Sequence, residues 1–127
     1  MASYQPSRFT RPLLAATDFS ANQYKYVKGD ANDEMSLAGG AAGAIGAGFL
    51  HNAPGAGQMG EIASIGGGAL AIASATVSGP NIKLKALATG LLTPATTAGD
   101  VIVAISKEAA AANDVFEVEP VLFTEPA

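Results

Sequence analysis

The chain contains no cysteine and no tryptophan, and only one histidine among its 127 residues. Without cysteine there is no disulfide framework, no thiolate metal site and no thiol nucleophile. Charged residues are also scarce, at 14% of the chain with a net charge of −4 and a pI near 4.7. That balance lacks the basic face a nucleic-acid binder needs, so no nucleic-acid partner is expected. Long hydrophobic runs are missing as well. Residues 35–60 and 62–82 carry no Asp, Glu, Lys or Arg, and Gly39 and Gly43 form a G-x-x-x-G pair. Yet both stretches are dominated by small residues and interrupted by Pro54, Gly66-Gly67-Gly68 and Gly79-Pro80. A spanning helix wants about 20 predominantly apolar residues, so no membrane partner is expected. The opening Met1-Ala2-Ser3-Tyr4-Gln5-Pro6 has no basic region leading into an apolar one and does not read as a secretory signal.

What is present is glycine (15), proline (7) and a hydrophobic content of 49% in which alanine is prominent. Leu, Ile, Val, Met and Phe together make up about a quarter of the chain, above the roughly 20% below which chains stay disordered. The length fits one domain, or one domain plus an arm. Residues 1–23 read as an extended N-terminal arm, interrupted by Pro6 and Pro12 and without a sustained period. Both arginines, Arg8 and Arg11, lie there beside Phe9, Leu13, Leu14 and Phe19. Guanidinium groups and aromatics in such an arm suit docking on a neighbouring surface.

Residues 24–127 break into short runs punctuated by turn residues. Residues 24–28 predict a strand, 29–33 a turn and 34–37 its hairpin mate. Further short apolar runs cover 47–51, 60–65 and 69–73. Residues 82–86 alternate cleanly, with Ile82, Leu84 and Ala86 facing inward and Lys83 and Lys85 facing water. Residues 101–105 are a β-branched run of the kind buried on both faces. Phe116 and Val118 alternate with Glu117 and Glu119 until Pro120 breaks the strand, and 121–123 continue as an edge. Residues 107–113 predict one helix of about two turns. The expectation is a mainly β fold: a compact β-sandwich or barrel of short strands, one short helix and the N-terminal arm.

The chemistry-bearing patterns resolve into structural ones. Gly55-Ala56-Gly57-Gln58-Met59-Gly60 matches G-x-G-x-x-G, but Pro54 precedes it and Ser78 stands where the ribose-binding acid belongs. It reads as a turn. Asp30, Asn32 and Glu34 alternate like the first ligands of a calcium loop, yet Met35 and Ala41 occupy the positions that need Gly and a bidentate Glu. His51 has no second histidine and no paired carboxylate near it in sequence. Ser64 lacks the preceding glycine of a nucleophile elbow. Glu117 and Glu119 lie about 7 Å apart on one strand face and read as a solvated surface. No catalytic, cofactor-binding or metal-binding residue is assigned, and no enzyme is expected.

From residue 47 to 118 the order of segments resembles the small capsid cement (head decoration) proteins of tailed bacteriophages. The resemblance rests on Gly48-Phe49-Leu50-His51-Asn52-Ala53-Pro54-Gly55-Ala56-Gly57, a strand running into an Asn-x-Pro turn, then on Gly60-Glu61-Ile62-Ala63-Ser64-Ile65-Gly66. It continues through Ala95-Thr96-Thr97-Ala98-Gly99-Asp100 into Val101-Ile102-Val103-Ala104-Ile105, the alanines of 109–112 and the strand at 115–118. The chain departs from that pattern at Ala104, commonly Gly, and at Asn113-Asp114, commonly Gly-Glu; the arm has no counterpart. The resemblance implies a β-rich decoration domain (24–127) bound outside an expanded icosahedral shell, often as a homotrimer, without catalysis. The implied partners are the major capsid protein and other copies of the chain, with Arg8, Phe9, Arg11, Leu13, Leu14 and Phe19 as the arm's contacts. The implied location is the virion surface, after synthesis in a host cytoplasm where cysteine has no structural use. Two further readings compete: a virion-surface module binding host glycan or envelope, and a small Gly-rich membrane-inserting protein.

Overall fold

A computed structural model describes residues 12–30, 32, 34–37, 48–64 and 67–125. These form eleven strands: β1 (Leu13–Leu14), β2 (Tyr26–Gly29), β3 (Met35–Leu37), β4 (Gly48–Leu50), β5 (Met59–Gly60), β6 (Ile62–Ala63), β7 (Ala69–Ile72), β8 (Lys83–Ala86), β9 (Leu92–Pro94), β10 (Val101–Ser106) and β11 (Val115–Thr124). They assemble into a five-stranded sheet in the order β7-β11-β10-β8-β9, a four-stranded sheet β3-β2-β4-β6 and a two-stranded ribbon β1-β5. The five-stranded sheet curls so that Leu92 meets Ala73 in a parallel bridge, and Ser74 N–H donates to Leu92 O at 2.6 Å. The mainly β expectation holds.

Strand periodicity explains how three layers share the chain. In the four-stranded sheet Tyr26, Phe49 and Ala63 point one way, into a core shared with Leu84, Ala104, Phe116 and Val118 of the five-stranded sheet. Tyr26 and Phe49 are cross-strand partners whose rings meet edge to face at 4.9 Å. The adjacent residue on each strand turns the other way: Val27, Leu50 and Ile62 join a second core with Leu13, Ala15, Phe19 and Met35. Successive side chains on a strand point to opposite faces, so this sheet is buried on both.

Several sequence expectations are met. β2 and β3 form the hairpin predicted for 24–37, with Lys28 opposite Ser36. Asp30 closes its turn, accepting the amides of Asn32 at 2.8 Å and Glu34 at 3.0 Å. Leu84 and Ala86 are buried while Lys83 is exposed, and Ile102, Val103 and Ala104 are all inside.

Two expectations are corrected. The helix predicted for 107–113 does not form, and no helix occurs among the described residues. Ala110 instead bridges Val77, each amide donating to the other's carbonyl at 3.0 and 2.8 Å, and Asn113 turns the chain at φ 71°. A two-turn helix carries too few hydrogen bonds to offset nucleation, and the β-bridge buries Ala110 as well. Nor does Pro120 end its strand. β11 runs through it because the β7 ladder stops at Val118, and a bulge follows at once. Ile102 pairs with Phe123 but Ala104 with Pro120, so two residues of β11 oppose Val103. A bulge beside a strand paired on one side is a setting where a missing N–H is tolerated.

Among the described residues, Ser106 is the buried polar side chain, 1% exposed. Its Oγ donates to Gly79 O at 2.7 Å and accepts the Ile82 N–H at 2.9 Å, fixing the entry to β8. Replacing Ser106 with Ala strands both groups and is expected to cost about 1–3 kcal/mol, measurable as a lowered urea midpoint. Ser106→Thr, which keeps the hydroxyl, is expected to recover part of the loss.

Candidate functional site

The residues singled out in the N-terminal segment divide into two groups. Arg8, Phe9 and Arg11 lie outside the described residues. Leu13, Leu14 and Phe19 are built into the domain itself. Leu13 is 2% exposed and Phe19 8%, both in the second core. Leu14 is half-buried, pairs with Met59 across the ribbon and is bridged to Glu34. Backbone bonds secure the segment: Ala15 N–H to Gln58 O at 2.9 Å, Gly57 N–H to Ala15 O at 2.7 Å and Phe19 N–H to Pro54 O at 2.9 Å. Among the described residues, packing therefore reaches back to Leu13, within the stretch assigned to the arm. Leu13 and Phe19 cover the four-stranded sheet.

The G-x-G-x-x-G segment is the other half of this closure. Gln58 folds back, its N–H donating to Gly55 O at 3.0 Å and its Oε1 accepting the Gly55 N–H at 2.7 Å. The turn leads into β5, not into a helix whose N-terminus would hold a phosphate. The Gly55, Gly57 and Gln58 amides are spent on Gln58 Oε1, Ala15 O and Gly55 O, so the motif serves packing.

His51 follows β4 and lines a shallow recess of about 270 Å³ with Gly68, Ala69, Leu70 and Glu117. Its Nε2 accepts the Leu70 N–H at 3.2 Å, and Tyr24 meets its ring edge-on at 5.9 Å. An accepting Nε2 means a neutral ring with its proton on Nδ1. Burial pushes its pKa below the usual imidazole value, against the smaller pull of the Glu61 carboxylate. Glu117 is the second titratable group of the lining, but no serine, threonine or cysteine lies there to form a nucleophile–base pair with either. Among the described residues no three His, Cys, Asp or Glu side chains gather as a metal set.

Among the described residues, the outer surface carries exposed apolar side chains. Leu70 and Val115 lie in cross-strand register with Glu117 and Ile72, and Leu122 and Phe123 extend the end of β11. All four are more than a third exposed. Lys83 sits 5.9 Å over the Phe123 ring and pairs with Glu125 at 3.0 Å. Such exposed pairs contribute little to stability but leave the face polar at its rim.

No protein-family model matches the chain, and no curated protein matches it by sequence. Among solved structures, the fold is similar to the head fiber gp8.5 N base of bacteriophage phi29. The superposition has a TM-score of 0.66 and covers 90% of this chain and 95% of that one, at 11% sequence identity. The two chains share a fold over nearly their whole lengths.

Proposed function

We propose that this chain is a structural protein of a tailed-phage virion, which binds the outside of the mature head and stabilises it as an oligomeric, most simply trimeric, cement protein. The observation that carries this reading is the fold it shares, over 90% of its length, with the base of a phage head fiber. The order of segments from residue 47 to 118 supports the same reading from a separate direction. A cement protein needs area and shape, and a small β domain with two packed cores supplies both. Its effect follows from linkage: a protein that binds the expanded lattice alone stabilises it by RT ln(1 + [L]/Kd) per site. Many weak attachments on one shell then multiply.

The arm's role in this reading falls to Arg8, Phe9 and Arg11. Both arginines precede residue 12 and all 11 acidic residues follow it, so the chain's own charge favours an acidic receptor for the arm on capsid protein or a neighbouring copy. The double substitution Arg8→Glu with Arg11→Glu is expected to weaken particle binding about tenfold or more without changing the melting temperature. Unchanged binding in a pelleting assay removes the arm from the interface.

The reading as a whole is tested by the copy number of the chain in purified particles relative to the major capsid protein. A fixed ratio of many copies per shell, retained through a salt wash, supports it. A few copies per particle points to a tail or host-binding component, and absence from particles overturns it.

A further inference from the structure

β7 is the terminal strand of the five-stranded sheet. At Leu70 it faces Glu117, whose own amide donates to Glu108 Oε2 at 2.8 Å and whose carbonyl accepts the Lys107 N–H at 3.1 Å. Leu70 and Glu117 are thus a non-hydrogen-bonded pair, and the Leu70 N–H points outward from the sheet edge. His51 meets it there. The histidine backbone is pinned to the other sheet, its N–H donating to Glu61 O at 2.8 Å and its carbonyl accepting Gln23 Nε2 at 3.0 Å. The imidazole is therefore a fixed bridge from the end of β4 to the edge of β7.

We propose that His51 is an acid-sensitive latch: it ties the β7 edge to β4 at neutral pH and releases it when Nε2 takes up a proton. A proton on Nε2 sets a donor against the Leu70 donor, so the bond is lost at the step that charges the ring. Among the described residues, Glu61 before β6, Tyr24 before β2 and Glu117 on β11 face His51, the last paired with Lys107 at 3.6 Å, while Gly68 and the Ala69 and Leu70 of β7 bring no titratable side chain. The two carboxylates favour the charged ring and oppose the latch, while burial and the Leu70 N–H favour the neutral ring. Burial is the larger influence. The open form therefore binds the proton more tightly, so the latch is intact above the ordinary imidazole value of 6.5 and weakens as the pH falls below it. Release leaves the β7 edge with an unmatched donor, a pairing site for another strand.

Amide exchange by NMR on the full chain between pH 7.5 and 5.0 tests the latch, read as protection factors so that the intrinsic pH dependence of exchange drops out. Leu70 is expected to lose about tenfold in protection for each unit by which the latched pKa lies below the open one, while amides of the central strand β10 keep theirs. His51→Gln retains an acceptor that does not titrate, and its Leu70 protection is expected to stay flat. Constant protection in the unsubstituted chain, or the same loss in His51→Gln, overturns the proposal. If His51→Gln does not fold, a nitrogen-15 titration of His51 in the unsubstituted chain decides: an Nδ1–H tautomer with a midpoint below 6.5 supports the latch, and an Nε2–H tautomer or a higher midpoint overturns it.

Discussion

Removing residues 1–20 is expected to abolish cooperative folding, whereas removing residues 1–11 is expected to leave the melting temperature within a few degrees of the full chain. The difference lies in what covers the second face of the four-stranded sheet. Leu13, Ala15 and Phe19 are all buried against Val27, Met35, Leu50 and Ile62. Losing Leu13 and Phe19 alone forfeits about 3–6 kcal/mol of burial. It also returns part of the facing residues to water and strands the amides and carbonyls bonded to Ala15 and Phe19. Domains of this size are stable by only about 5–15 kcal/mol, so the total reaches the whole margin. The described members of both cores begin at Leu13, so a cut before residue 12 spares them. Far-UV circular dichroism melts of the two truncations settle the matter. A cooperative melt for the chain starting at residue 21, near that of the full chain, would show that the cover is dispensable. The shorter truncation also separates folding from docking: under the proposed function it stays folded and no longer binds particles.

The second large effect is expected at Gly48, where Ala should cost about 4 kcal/mol or more and prevent folding in a marginal background. Gly48 begins β4 with φ 149°, and a Cβ there would collide with the Ala63 carbonyl oxygen and press on its carbon at 2.9 Å. That carbonyl belongs to β6, the strand paired with β4, so neither side yields without breaking the ladder between them. Gly57 provides the control. It has φ 85° but open space around a Cβ, so Gly57→Ala carries the left-handed strain of about 1–2 kcal/mol and no collision. Equal urea midpoints for the two variants would disprove the steric account of Gly48.

Much of this fold was legible in the residues, for reasons that can be named. Residues 82–86 and 116–119 alternate strictly, and a period of two can satisfy only a strand with one wet face. The run at 101–105 has no polar residue to turn outward, and the chain puts it in the middle of the larger sheet. The hairpin of β2 and β3 could be read from its Asp-containing turn. The misreadings also have causes. The alanines at 109–112 have high helix propensity, but that preference is small per residue and two backbone bonds between Ala110 and Val77 outweigh it. Pro120 is a breaker by local rules, and the bulge that accommodates it depends on β10, which no local rule sees. His51 was a lone histidine in the sequence; its bond to Leu70 joins residues 19 apart and leaves no periodic trace.

The sequence by itself determined that this is a β protein without thiol chemistry, and which side chains of its alternating strands face inward. Those properties depend on composition and on neighbours one or two residues away. Only the tertiary structure decided that the four-stranded sheet is buried on both faces and that residues from Leu13 onward form its cover. Leu13 and Phe19 carry no period of their own. Their burial depends on β5, on the turn at Gly55–Gly60 and on the far side of β2 and β4, surfaces that exist once the chain has come together.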